Sequence, residues 1–282
     1  MHERHIAVRS NTVAVLEAGV GGRPILLVHG FTGSKEDFGW TGGGFDYLDR
    51  LAALGWHAVS PDLYGHGAST HFDHESEYTF AAYVQQILDV VDSLGWDTFV
   101  LLGHSMGGMI SEEFAVLHGS RLASLILMDT HHGAITHVDP AFIPLAKQVA
   151  LESGIAGIKA VLDADTSRPS GSNYSYCVAL DTIDGYSFFC AGKMLSSSPV
   201  MFATMFENML QRPDRLEFLA TLALPAMVLV GDYDDGFLAA SARMASVMPN
   251  VMYRMIIGGG HCPQFEAPEA WWAALTEFLA TI

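Results

Sequence analysis

Three glycines crowd one serine in the stretch TFVLLGHSMGGM, residues 98–109, directly after an apolar run. Glycine inside a strand or helix costs about 0.5–1 kcal/mol relative to alanine, so Gly103, Gly107 and Gly108 imply a need for missing side chains. A buried strand, a turn too tight for any Cβ beside it, and a helix that starts at once create that need. In such a turn Ser105 adopts a strained backbone above the end of a sheet, and its neighbours stay small so that strand and helix do not collide. A chain built around this turn must feed strands into helices, which places it in the α/β class.

The remaining pattern agrees. Short apolar runs alternate with helical patterns through the first half, the signature of a mostly parallel, doubly wound sheet with helices on both faces. HIAVRS and TVAVLEAG read as an opening hairpin, PILLVHG, HAVSPDL, TFVLLGH and LASLILMDT as buried strands, and PAMVLVGD and VMYRMIIGGG as two more near the C-terminus. FAAYVQQILDVVDSLG sets Tyr83, Ile87, Val90, Val91 and Leu94 at helical spacing and stops at Gly95, a C-terminal capping residue. GGMISEEFAVLHG predicts a helix ending at Gly119, and PEAWWAALTEFLATI an amphipathic helix that closes the chain.

The sheet pattern breaks off near Thr130 and resumes near Pro225. Between them come PAFIPLAKQVALESGIAGIKAVLD, the polar joint TSRPSGSNYSY and the Met-rich MLSSSPVMFATMFENMLQR. This texture predicts a helical cap over 134–213, inserted into a core made of 1–133 and 214–282. Met201, Met205 and Met209 fall on one helical face with Phe202, Phe206 and Leu210 beside them. Such a stripe either packs the cap onto the core or lines an apolar pocket, for which methionine is adaptable.

Composition removes other classes of partner. The net charge of -17, with no basic run, repels a phosphate backbone, so no nucleic acid is expected. The apolar runs fall far short of the roughly 20 residues a membrane span needs. MHERHIAVRSNT has charges where a secretory signal has an apolar stretch, which makes the cytoplasm the expected location. Cys177, Cys190 and Cys262 are widely spaced and odd in number, so reduced thiols are expected. His71 and His74 flank Asp73, and His131, His132 and His137 lie near Asp139, but neither group has the spacing of a recognised zinc motif. No metal and no cofactor are expected. His131 and His132 follow a strand at the sheet's carboxyl edge, where ligands bind in open α/β sheets, which makes a substrate contact plausible.

Serine is a weak nucleophile at neutral pH and needs a base within hydrogen-bond reach, itself oriented by a third group. VLVGDYDDGF and then IIGGGHCPQFEAPE supply acids and a histidine, in the order serine, acid, histidine. With LLVHGFTGS, SPDLYGHGAST, GHSMGG, GDYDD and GGGHCPQFEAPE in sequence, the chain resembles the serine hydrolases of the α/β-hydrolase family along nearly its whole length outside the cap.

The resemblance implies that Ser105 is the nucleophile and His261 the general base. The family's Gly-x-x-Asp pattern, counted from Gly231, selects Asp234 as the acid, with Asp232 and Asp235 as rivals. Asp129, ending LILMD, occupies a position from which a few relatives take the acid. HGF resembles the second oxyanion element, so the Phe31 N–H would join that of Met106, with His29 and Gly30 shaping the loop. Asp62, Gly65 and Gly67 would set a structural turn. The implied activity is cofactor-free hydrolysis of a small, largely apolar carboxylic ester or lactone, with His131, Met201, Met205 and Phe206 as pocket candidates. The same fold also hosts hydrolysis of carbon–carbon bonds in diketone-like substrates, and ligand-binding receptors. Asparagine before the nucleophile often marks the carbon–carbon hydrolases, and His104 stands there in this chain.

Overall fold

In the computed structural model, which describes residues 1–164, 180 and 182–282, eight strands hydrogen-bond into one sheet. They are β1 (His2–Val8), β2 (Asn11–Ala18), β3 (Arg23–Val28), β4 (Trp56–Pro61), β5 (Phe99–His104), β6 (Leu122–Met128), β7 (Ala226–Gly231) and β8 (Val251–Ile256). The order across the sheet is β1-β2-β4-β3-β5-β6-β7-β8. β1 and β2 pair antiparallel, as does β2 with β4, and every other pair is parallel. All eight strands coincide with the runs expected from the sequence.

The inner parallel strands are buried on both faces because helices cover both. Leu26 and Val28 join the core on one side with Leu101 and Leu127, and Ile25 and Leu27 join the other with Val100, Leu102 and Ile126. Alternate residues of one strand thus serve two cores. Each such side chain contributes about 1.5–3 kcal/mol when fully buried.

α1 (Tyr47–Ala53), α2 (Phe80–Ser93), α3 (Met106–His118), α8 (Asp235–Val247) and α10 (Pro268–Leu279) flank the sheet, and a single turn, α9 (Pro263–Glu266), precedes α10. Thr79 caps α2 by accepting from Ala82 N at 3.1 Å, and Gly95 closes its far end at φ +71°. α8 escaped the sequence pattern because Ala240 and Ser241 carry half of its buried face.

Between β6 and β7 the described chain forms α4 (Ile143–Ala164, interrupted at Gly154), α5 (Tyr186–Leu195), α6 (Pro199–Gln211) and α7 (Leu216–Leu219). The joint TSRPSGSNYSY and Cys177 lie outside the described residues. Ser198 caps α6 by accepting from Met201 N, and Pro199 pre-sets its first turn. Met201, Met205 and Met209 are buried in the core on the α2 and α3 side of the sheet. Gly65, at φ +77°, allows this approach, since a Cβ there would lie 2.6 Å from that of Met201.

Where this helical segment returns to the sheet, Arg212 donates to Glu112 at 2.9 Å, to Glu113 at 3.0 Å and to the carbonyl of His131 at 2.9 Å. Arg215 forks onto Glu113 with two bonds of 2.8 Å. Burial pushes the Glu112 carboxyl up to about 7 against the pull of Arg212. Arg212→Ala leaves that carboxylate without a partner, and is expected to cost about 3–5 kcal/mol in urea unfolding. Because Glu112 escapes by taking up a proton, the loss should be greater at pH 8 than at pH 6. A loss below about 1 kcal/mol at both pH values, within the range of exposed pairs, would mean the network is not an anchor.

Candidate active site

Parallel strands bring their carboxyl ends to one edge. The chain reverses direction across the sheet between β3 and β5, the switch point where open α/β sheets bind ligands. Ser105 follows β5 there at φ +54°, ψ -118°, with its N–H bonded to the carbonyl of Met128. The glycines explain themselves. A Cβ on Gly103 would lie 2.3 Å from the carbonyl oxygen of Gly107, one on Gly107 would lie 2.5 Å from that of His29, and one on Gly108 would strike the Thr130 side chain at 2.6 Å. Thr130 also donates its hydroxyl to the Ser105 carbonyl at 2.6 Å, which pins the turn to the end of β6.

His261 enters from the loop after β8. Its Nε2 lies 3.0 Å from Ser105 Oγ, and its Nδ1 lies 2.9 Å from Asp234 Oδ2. Since Asp234 only accepts, Nδ1 carries the proton and Nε2 is free to take one from the serine. Burial lowers the pKa of His261, but the Asp234 carboxylate, backed by Glu266, raises it by more, leaving it above the ordinary 6.5. The ring stacks on Phe237 at 4.7 Å.

Two residues without an expected part in positioning the histidine hold this loop. Glu266 accepts from Gly260 N at 2.6 Å and from Cys262 N at 3.0 Å, bracketing His261 on both sides. Burial pushes its carboxyl up to about 7 despite those bonds. His104 donates from Nε2 to the His261 carbonyl at 2.7 Å, and burial holds its pKa down to about 3, so the ring is neutral. The only sequence signal for Glu266 was an acid five places after the histidine.

Of the three acids in GDYDDGF, only Asp234 meets His261. Asp232 instead accepts from Gly258 N at 2.8 Å, and Asp235 opens α8 in solvent. Gly231 is squeezed beneath the histidine loop, where a Cβ would lie 2.1 Å from the Gly260 carbonyl. Asp129 lies close to Asp234 and His261, fully buried at φ +45°, and accepts from Gly231 N at 2.8 Å.

On the other side of the serine runs the loop after β3. A Cβ on Gly30 would sit 3.0 Å from that of Ser105, so the loop lies directly alongside. His29 accepts from Leu63 N at 3.0 Å through Nε2 and donates from Nδ1 to the Gly30 carbonyl at 2.8 Å, a neutral strut between two loops. Asp62 gathers Lys35 N at 2.7 Å and Ala68 N at 2.9 Å, and Gly67 leaves room for it. Phe31 leads out of this strut, and Met106 opens α3, where a first-turn N–H has no partner in its own helix.

The pocket candidates divide. Met201 and Met205 are fully buried within the core, and His131 is engaged as the acceptor for Gly133 N at 3.0 Å. Phe206 stacks on Phe202, and Phe202 reaches Phe31 at a ring distance of 4.7 Å, so the α6 stripe touches the serine's loop through Phe202. A cavity of about 710 Å³ opens between α5 and the loop after β3, lined by Ser34, Lys35, Trp40, Phe188, Phe189 and Lys193 among others. Ser105, Asp234 and His261 do not line it. Lys193 pairs with Asp37 at 2.7 Å at its edge.

The histidine clusters are not brought together as ligands. His132 pairs with Asp214 at 3.0 Å, His137 packs on Phe237, and His71 and His74 are exposed. Among the described residues, the group able to offer three converging metal-ligand atoms is Asp129, Asp234 and His261. Cys190 and Cys262 are free thiols, and burial pushes both up. No described helix is long and apolar enough to cross a membrane.

A serine within reach of a neutral, carboxylate-bound imidazole, at the start of a helix, can attack an acyl carbon and shed its proton. Relatives fit this frame. A serine hydrolase-like protein of Danio rerio is 34% identical over 128 residues, which is 45% of this chain and only 37% of that protein. A thermophilic esterase from Thermogutta terrifontis superposes with a TM-score of 0.76 at 24% identity, over 100% of this chain and 99% of its own. The enol-lactonase from Burkholderia xenovorans LB400 superposes with a TM-score of 0.79 at 18% identity, over 98% of this chain and 100% of its own. Residues 23–268 match the family model described as the alpha/beta hydrolase fold, and the chain belongs to that family.

Proposed function

We propose that the protein is a serine hydrolase of small, largely apolar carboxylic esters or lactones, working through an acyl-enzyme on Ser105. One observation carries this reading: the chain of contacts from Ser105 Oγ to His261 Nε2 at 3.0 Å and from His261 Nδ1 to Asp234 Oδ2 at 2.9 Å. His261 takes the serine proton as Oγ bonds to the acyl carbon, then gives it to the departing alcohol oxygen. It next deprotonates the water that frees the acid. Asp234 holds the ring in the tautomer with Nδ1 protonated and stabilises its charge. The N–H groups of Phe31 and Met106 hold the oxyanion, supported by the loop packed beside Ser105 and the helix start. We assign residues 134–213 to a helical cap, with Phe202 and Phe206 of α6 leading from the oxyanion loop into the acyl or alcohol pocket, and Met201, Met205 and His131 behind them.

The test is a chain-length series of p-nitrophenyl esters and simple lactones, followed across pH. Repeated turnover is expected, with kcat/KM falling as the pH drops through the pKa of His261. That limb should be centred above 6.5, because the net shift of His261 is upward and only the neutral ring acts as a base. A limb centred below 6.5 would contradict the proposed pairing with Asp234. Absence of turnover from folded protein that still reacts with a serine-directed phosphonate would replace this reading by carbon–carbon bond hydrolysis or ligand reception.

A further inference from the structure

We infer that Asp129 is a neutral carboxylic acid whose proton is donated to the Asp234 carboxylate, making Asp129 a positioning residue behind the proposed triad. The inference rests on the proposed roles of Asp234 and His261.

Asp129 is fully buried and stands at φ +45°, a backbone region that aspartate and asparagine tolerate better than other side chains. One of its oxygens is satisfied, Oδ1 accepting from Gly231 N at 2.8 Å. The other, Oδ2, is buried without a donor. A ligand atom from each of Asp129, Asp234 and His261 lies within 4.8 Å of the other two. Two acceptors side by side, one of them buried and unsatisfied, repel as carboxylates and attract once a single proton lies between them.

The charges that act most strongly on Asp129 include no cation. The groups acting on Asp129 are Asp234 from the loop before α8 and Glu266 from α9, both acidic. The ring of His261 already gives its Nδ1 proton to Asp234. Burial, together with the charge of Asp234, pushes the Asp129 carboxyl well above the usual carboxylate range, in line with the geometry. The result is a run of four groups: Asp129 donates to Asp234, which accepts from His261, which accepts from Ser105. No atom is transferred; the Asp129 proton stays on its oxygen and fixes the Asp234 carboxylate in place, softening its pull on the imidazole.

Three forms of the protein test this, wild type, Asp129→Asn and Asp129→Leu, each followed by its rate of inactivation with a serine-directed phosphonate between pH 5 and 9. Other titratable groups facing His261, namely Glu266, His104 and His137, are unchanged among the three. Asparagine keeps a neutral N–H donor at the same place and tolerates positive φ. Its rate is expected within about 3-fold of wild type, and its acid-limb midpoint within about 0.3 pH unit. Leucine removes the donor, so inactivation should slow about 10-fold or more, as for other groups that orient a functional side chain. Its midpoint should rise, because an Asp234 relieved of its donor holds the His261 proton more tightly.

An ionised Asp129 predicts a shift for Asp129→Asn instead, a midpoint lowered by about a unit as a negative charge leaves the site, and that result overturns the inference. Equal behaviour of Asp129→Leu and wild type overturns it too. The infrared C=O band of a protonated carboxyl, present in wild type at pH 8 and missing in Asp129→Asn, decides the proton's location even if the leucine variant fails to fold. That band is independent of Ser105, so a wild type that ignores the phosphonate yet shows it would refute the proposed triad and leave the neutral Asp129 standing.

Discussion

Replacing Ser105 with alanine is expected to lower ester turnover about a million-fold while leaving the fold and simple ligand binding intact. The expectation follows from how a triad works as a unit. Once the nucleophile is gone the base has nothing to activate, and what remains is the acceleration from binding and oxyanion contacts, about 10³–10⁴ over water. Stability should hardly change, because Ser105 Oγ supports no contact beyond the one with His261, and its backbone is fixed by Met128 and Thr130. Alanine at φ +54° bears the same strain as serine, so unfolding midpoints of the two proteins should agree closely. Initial rates over a long assay decide the matter. Activity within about 10-fold of wild type would mean that the chemistry runs elsewhere in the molecule, since the substitution removes only the hydroxyl and its contact with His261.

Asp234→Asn should cost about ten-thousand-fold in kcat, the scale expected when an amide replaces the acid and permits the wrong imidazole tautomer. The neighbouring acids provide internal controls. Asp235 faces solvent, and Asp235→Asn should stay within about 2-fold of wild type, as surface substitutions usually do. Asp232 fastens Gly258 at the base of the histidine loop, so Asp232→Asn should lower stability by about 1 kcal/mol, one hydrogen bond's net worth, and affect the rate only modestly. Measured kcat values for the three variants rank the acids directly. If Asp232→Asn or Asp235→Asn collapsed and Asp234→Asn did not, the contact between Asp234 and His261 would have no catalytic meaning.

Sequence by itself determined the parts of this protein that depend on local chemistry. The inner strands β3 to β7, buried on both faces, are nearly continuously apolar and were legible for that reason, while the edge strands β1 and β8 were legible from short apolar runs beside turns. The elbow was legible because Gly103, Gly107 and Gly108 occupy places where a Cβ would overlap backbone or Thr130. Ser105 and His261 follow from ordered motifs, and Gly95 from a helix stop. α8 was not legible, because its buried face runs through alanine and serine as much as through Phe237 and Met244.

Only the tertiary structure decided matters set by convergence of distant segments. Asp232, Asp234 and Asp235 are one residue type in one loop, and only their directions separate them, toward Gly258, His261 and solvent. Glu266 and His104 brace the histidine loop through backbone bonds, which leave no periodic trace in a sequence. The Met stripe of α6 was visible as a pattern, but its depth in the core and the contact of Phe202 with Phe31 depend on how that helix lies over the sheet. Asp129 and Asp234 stand 105 residues apart, at the ends of neighbouring parallel strands, and only the pairing of β6 with β7 brings the two acids side by side. Local sterics act between adjacent residues and so can be read along a chain; hydrogen-bond partners and shared protons are set by distances that the sheet alone imposes.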